Sequence, residues 1–178
     1  MGKRSNFERL PRDFYPTPRS AVEPLLPHLS PSTMFVEPCA GAGHLQWWLY
    51  LAGHTCVSAS DIEPQGSVFS NLLIQKMDAF DLTAEHVKHA DCIITNPPWD
   101  RKILHPMIEH FKNLKDTWLL FDADWAHTVQ SSELIKHCKK IVAVGRVKWI
   151  EGSKHTGMDN CSWYCFQKEK LDTTFIGR

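Results

Sequence analysis

No run in the 178 residues approaches the ~18 consecutive apolar residues of a membrane span. The opening Met1-Gly2-Lys3-Arg4-Ser5 leads into polar sequence, not the apolar core of a signal peptide. The reading is of a cytoplasmic chain with no membrane role. None of the six cysteines, Cys39, Cys56, Cys92, Cys138, Cys161 and Cys165, forms a CxxC pair, and a reducing compartment keeps such residues as thiols. Cys161, Cys165 and His155 could be grouped as metal ligands; buried strand cysteines account for them more simply, and no metal is expected. No internal repeat or low-complexity tract is visible, which removes solenoids and disordered arrays. Net charge is also missing, with 20 basic and 20 acidic side chains, so bulk electrostatics alone would not hold the chain to a polyanion.

What the chain does have is 43% apolar residues, the composition of one globular domain spanning residues 1–178. A domain of this length buries roughly 70% of the surface its unfolded form exposes and needs no staple. Charge is unevenly distributed along it. Residues 1–20 carry five cations against two acids, and residues 1–16 read as a basic arm. Residues 131–160 carry six cations against three acids, whereas residues 55–95 carry six acids against two cations. Two basic stretches folded onto one rim would suit a polyanion.

Strands and helices alternate. Met34 to Glu37, Thr55 to Ser60, a short run near Ile74 to Met77, Asp91 to Thr95 and Thr117 to Phe121 read as strands. Val22 to Leu29, bent at Pro27, His44 to Leu51 ended by Gly53, Ile103 to Leu114 and Glu133 to Cys138 read as helices, the first opened by Thr17-Pro18 or by a capping box at Ser20. Of the adjacent Trp47 and Trp48, one can face the core. Ile141 to Ile150 and Cys161 to Phe166 have no helix between them, only residues 151–160, which predicts an antiparallel hairpin with a long loop. The expected architecture is α/β, a doubly wound, mostly parallel sheet with helices on both faces.

Three features sit where ligands bind in such sheets, at the carboxyl ends of the strands. Glu37-Pro38-Cys39-Ala40-Gly41-Ala42-Gly43 follows the first strand, and its glycines permit a tight turn and a close backbone approach. Position 46 is Gln46 where a nicotinamide fingerprint has a third glycine, which weakens a pyrophosphate reading. Asp61 ends the second strand, placed to accept hydrogen bonds from a ribose diol. After the third strand, Asp78-Ala79-Phe80 offers an acid for an adenine amino group and a ring to cover it.

The fourth feature, Asn96-Pro97-Pro98-Trp99, carries specific chemistry. A conjugated amine is a poor nucleophile because its lone pair is delocalised. The Asn96 side-chain oxygen and the Pro97 carbonyl can each accept one of its N–H groups and favour a pyramidal nitrogen, while Pro97 and Pro98 fix the acceptors in advance. Trp99 is expected to stack on the planar substrate. Trp125, with Asp122, Asp124 and His127 just past the fifth strand, is placed at the substrate mouth.

From Tyr15 to about Phe166 the chain resembles the class I S-adenosylmethionine-dependent methyltransferases. Within them it is similar to amino-methyltransferases with an Asn/Asp-Pro-Pro-aromatic motif, above all to small phage-type DNA adenine-N6 enzymes. The motif order is that of the gamma-like arrangement. The resemblance implies a Rossmann-like fold with seven strands, the last antiparallel. It implies S-adenosyl-L-methionine held by Tyr15, Thr17, Glu37, Pro38, Ala40, Gly41, Gly43, Asp61, Ile62, Asp78, Ala79, Phe80 and Asn96, with Asn96, Pro97, Pro98 and Trp99 as the catalytic turn. Trp99, Trp125, Arg146, Lys148 and Lys154 would contact a nucleic acid, DNA before RNA. No segment is long enough for a target-recognition domain, so a protein partner could supply sequence specificity. The same motif occurs in enzymes that methylate RNA bases, adenine at N6 or guanine at N2, or a protein glutamine. A cofactor-binding, catalytically silent subunit is the non-enzyme alternative.

Overall fold

The structure, a computed structural model, describes residues 15–67, 73–150, 157 and 159–178. Eight strands form one sheet: β1 (Met34–Glu37), β2 (Thr55–Asp61), β3 (Gln75–Lys76), β4 (Cys92–Thr95), β5 (Thr117–Asp122), β6 (Cys138–Arg146), β7 (Asn160–Phe166) and β8 (Thr174–Ile176). Their order is β3-β2-β1-β4-β5-β7-β6-β8. All neighbours are parallel except at β7, which runs antiparallel to both β5 and β6. The helices are α1 (Arg19–Val22), α2 (His44–Leu51), α3 (Ala84–Val87) and α4 (Arg101–Lys112), with several 3-10 turns between elements.

The period-2 alternation of strand side chains sorts the core into two layers. On one face Val36, Ile93, Leu119, Phe121, Tyr164 and Phe166 pack with Val87 of α3 and Leu104, Met107, Ile108 and Phe111 of α4. On the other, Phe35, Cys92, Ile94, Trp118, Leu120 and Trp163 meet Ala21 and Val22 of α1 and Leu45 and Leu49 of α2. The first layer centres on a column of rings, Phe121 stacked on Tyr164 with centroids 4.1 Å apart. Fully burying each such side chain contributes on the order of 2–3 kcal/mol. Cys92, Cys138, Cys161 and Cys165 lie in these layers, where burial pushes each thiol up to about 12 and leaves it unreactive.

The strand order reverses between β1 and β4, which pair directly, Phe35 opposite Cys92 and Val36 opposite Ile93. Chains leaving adjacent strands for opposite sides open a crevice at their carboxyl ends. The glycine turn leaves β1 there and the Asn96 corner leaves β4.

Three expectations change. The sheet has eight strands, not seven, because Thr174–Ile176 adds a parallel edge to β6; three residues with one partner strand leave too short a pattern to read. Glu133 to Cys138 is no α-helix: Ile135–His137 is a single 3-10 turn and Cys138 already belongs to β6, which ends at Arg146 and not at Ile150. The first helix, expected to carry its buried face from Val22 to Leu29, stops at Val22: α1 is Arg19–Val22, followed by a 3-10 turn over Leu26–His28 that contains Pro27. Its N-cap is Pro18 without a side-chain cap bond, because the Thr17 hydroxyl is engaged elsewhere and Ser20 lies inside the helix.

Candidate active site

The glycine turn takes the shape its residues allow. Gly41 and Gly43 adopt φ of 55° and 84°, values that favour glycine. Gly43 is the N-cap of α2 and has no side chain to offer the helix's free N–H groups. Glu37 takes that role from β1, accepting the Gln46 backbone N–H. The Gly41 N–H donates to Asp61 Oδ2 at 2.8 Å, and the other Asp61 oxygen accepts the Glu63 N–H at 2.8 Å. One carboxylate at the end of β2 thus holds both the β1 turn and the loop that follows itself. Asp78 repeats the device, accepting the Phe80 N–H at 2.9 Å and capping a 3-10 turn over Ala79–Asp81.

These elements surround a cleft of about 590 Å³, within the range of small-ligand sites. Tyr15 and Thr17 close one end. Glu37, Pro38, Ala40 and Gly41 form the β1 side, Asp61 and Ile62 the β2 side, Asp78, Ala79 and Phe80 the β3 side, and Asn96 and Pro98 the β4 side. The expected cofactor residues therefore converge, except Gly43, which stands behind the lining as the helix cap. Lining residues not among the expected contacts include His44, Glu63, Gln65 and Asp100, and Ile103 and Met107, one turn apart on α4. The helical spacing of these last two marked them as core, yet Ile103 is 38% exposed and offers an apolar wall to the cleft.

The Asn96 amide is held at both ends. Its Nδ2 donates to Thr17 Oγ1 at 3.2 Å, and its Oδ1 accepts the Trp99 indole N–H at 3.2 Å. The same indole N–H also donates to the Leu120 carbonyl of β5 at 3.1 Å. Trp99 is half-buried between the two core layers, meets Trp149 edge-on at 5.7 Å, and does not line the cleft, and neither does buried Pro97. Thr17 is 5% exposed, and its carbonyl accepts the Trp48 indole N–H at 3.1 Å. Trp48 is thus the inward tryptophan of the adjacent pair, while Trp47 stacks on Tyr50.

Electrostatically the cleft is acidic. Glu37 is fully buried, and its Oε2 has no hydrogen-bond partner among the described residues. Desolvation first, with the Asp61 charge adding to it and the Gln46 N–H opposing, pushes its carboxyl well above the usual carboxylate range. An orphaned buried carboxyl oxygen with Asp61 and Asp78 on the same wall suits a cationic, diol-bearing, amine-bearing ligand. S-adenosyl-L-methionine has all three properties.

Trp125 is a correction. It is 1% exposed, donates its indole N–H to His105 Nε2 at 2.9 Å and packs edge-on against Phe121 at 5.1 Å. The 3-10 turn over Ala123–His127 folds it back into the core, away from any mouth. Arg146 and Lys148 are exposed at the end of β6 and just beyond it. Lys154, His155 and most of the 151–160 loop lie outside the described residues, as do residues 1–14 of the basic arm. Among the described residues no three His, Cys, Asp or Glu side chains gather as a metal site, and no helix is long and apolar enough to cross a membrane.

This strand order, with the reversal beside β1 and one antiparallel strand near the far edge, is a Rossmann-like fold, shared with solved structures described as methyltransferases. Among the solved structures that share it are a candidate RNA methyltransferase from Pyrococcus horikoshii and a candidate class I S-adenosylmethionine-dependent methyltransferase from Listeria monocytogenes. The first is 17% identical at a TM-score of 0.63, the match covering 94% of this chain and 93% of that one. The second is 13% identical at 0.60, covering 97% and 68%. The methyltransferase subunit of a type I restriction-modification system from Streptococcus thermophilus is 8% identical at 0.59, covering 90% of this chain but 46% of that one. No protein-family profile and no curated sequence matches the chain.

Proposed function

We propose that the protein is an S-adenosylmethionine-dependent N-methyltransferase whose acceptor is an exocyclic amine of a nucleic acid, adenine N6 of DNA in the first instance. The observation that carries this reading is the shared cleft: Asn96 and Pro98 line the same space as Gly41, Asp61 and Asp78. An amine at Asn96 would lie beside whatever those residues hold.

When bound, the cofactor supplies a methyl group on a cationic sulfur. Asp61 spends one lone pair of each oxygen on a backbone N–H and Asp78 one lone pair in all; the lone pairs they keep would, on this reading, take the ribose diol and the adenine amine. Glu37, whose carboxyl burial holds toward the neutral form, would offset a cation only as it gives up its proton. On the acceptor side Asn96 Oδ1 keeps one lone pair beyond the Trp99 bond and would accept one N–H group of the amine. That nitrogen would then take the methyl carbon the cofactor supplies, a C–N bond replacing the C–S bond so that the sulfur leaves as a neutral thioether, and the amine's proton would pass to water. Acceptors fixed before the reaction need no reorganisation, the usual source of the largest catalytic term.

In a duplex the target base must leave its stack, at a cost of a few kcal/mol. Arg146 and Lys148 would hold phosphates and add no base specificity, so a short or relaxed target, or a partner that supplies the sequence, follows. RNA is the second reading, favoured by the nearly complete mutual coverage with the Pyrococcus horikoshii protein. Radiolabelled methyl transfer to DNA and to RNA, followed by nucleoside analysis, tests both. N6-methyldeoxyadenosine is expected. The ribose form moves the assignment to RNA, another methylated base removes adenine, and cofactor binding without transfer to either polymer supports the silent subunit.

A further inference from the structure

Every amide of an asparagine has two ends that differ in chemistry, and methyl transfer by the route proposed above needs the oxygen end. We infer that Trp99 is the positioning residue that selects this end, through its indole N–H and not through its ring face. The inference rests on the N-methyltransferase reading and concerns the same corner.

The argument comes from what each neighbour of Asn96 can do. An indole N–H donates and never accepts. The Asn96 atom facing it, 3.2 Å away, must therefore be oxygen; a flipped amide would set two donors against each other. The Leu120 carbonyl, 3.1 Å from the same indole nitrogen, only accepts, so it fixes the indole's direction. Thr17 Oγ1 at the other end both donates and accepts, and would tolerate either amide end. Selection thus falls to Trp99. Phenylalanine cannot do this, having no donor. The ring itself is committed elsewhere, packed into both core layers and against Trp149, and is not part of the cleft wall. Both facts oppose stacking as its principal role.

The test is a cycle between positions 99 and 96. Trp99→Phe keeps an aromatic ring in the packed site and removes only the donor. In the otherwise unchanged protein it should lower kcat roughly five- to tenfold, the scale of one neutral hydrogen bond, with nucleic-acid KM and cofactor affinity within twofold. Asn96→Asp has two equivalent oxygens and nothing to select. In that background Trp99→Phe should change kcat less than twofold. An equal loss in both backgrounds, or a raised KM with kcat kept, would overturn the inference.

Nitrogen-labelled protein gives a readout independent of turnover. Trp99→Phe should displace the Asn96 side-chain amide resonances, assigned by their disappearance in Asn96→Asp, whereas Trp149→Phe should leave them within a linewidth. Unchanged resonances in Trp99→Phe would also sink the proposal. A wild-type protein that binds cofactor yet methylates nothing would instead refute the N-methyltransferase reading, and the resonances would still decide the clamp.

Discussion

The two sides of the cleft are built from opposite kinds of hydrogen-bonding group. On the β1–β3 side, carboxylates do the holding: Asp61 takes the Gly41 and Glu63 N–H groups, Asp78 that of Phe80, and Glu37 that of Gln46. On the β4–β5 side, indole donors do it: Trp99 to Asn96 and Leu120, and Trp48 to Thr17, which in turn accepts from Asn96. Acids keep lone pairs spare, which on the proposed reading serve the cofactor. Neutral indoles fix an amide without adding charge at the Asn96 corner. The same need for a rigid wall is therefore met by whichever groups leave the right chemistry unspent.

Substitutions on one side should spare the other. Asn96→Ala should lower kcat on the order of 10²–10³-fold, the usual loss on removing a preorganised group of this kind, with a far smaller change in cofactor affinity by calorimetry. Equal losses in transfer and cofactor binding would show that the sides are not separable. Asp61→Ala removes a charged acceptor from two backbone N–H groups as well as the proposed ribose contact; cofactor affinity should fall about 10–100-fold, with saturating cofactor recovering most of kcat. Changing Arg146 and Lys148 together to alanine should weaken nucleic-acid binding several-fold and reduce the slope of log K against log salt by about 2, since each phosphate contact contributes about 0.9 to it. Cofactor binding should not respond.

The smallest effect sharpens the acidic side. Because burial raises the Glu37 pKa, affinity for a cationic ligand should increase with pH as that carboxyl loses its proton, and Glu37→Gln should flatten the profile. Stability of the ligand-free protein runs the other way. The neutral carboxyl's contribution is intact below the unfolded-state value and is lost as pH rises through the raised folded-state value, so the melting temperature should fall across that interval in wild type but not in Glu37→Gln.

The acidic side was the more legible in the sequence, for a physical reason. Gly41, Asp61 and Asp78 each stand within four residues of a strand's end, and the places they take follow from that position and from their own backbone neighbours. The indole side depends on partners far along the chain: Thr17 and Asn96 are 79 residues apart, Trp99 and Leu120 are 21. No local pattern records such pairs. Trp99 and Trp125 were both read as substrate contacts because each follows a strand; strand ends fix where a residue sits but not which way its ring turns, and both rings turn inward. Ile103 failed in the opposite sense, since helical spacing marks an apolar face without saying whether a neighbouring helix or a cleft meets it.

Thr17 joins two bonds that pull from different elements, its hydroxyl reaching the β4 corner and its carbonyl the outer helix α2, while Ala21 four residues later accepts the Trp163 indole N–H at 2.7 Å. The chain just ahead of α1 is in effect sewn along one end of the cleft. Removing Thr17 would take away the stitch that keeps the amide in place.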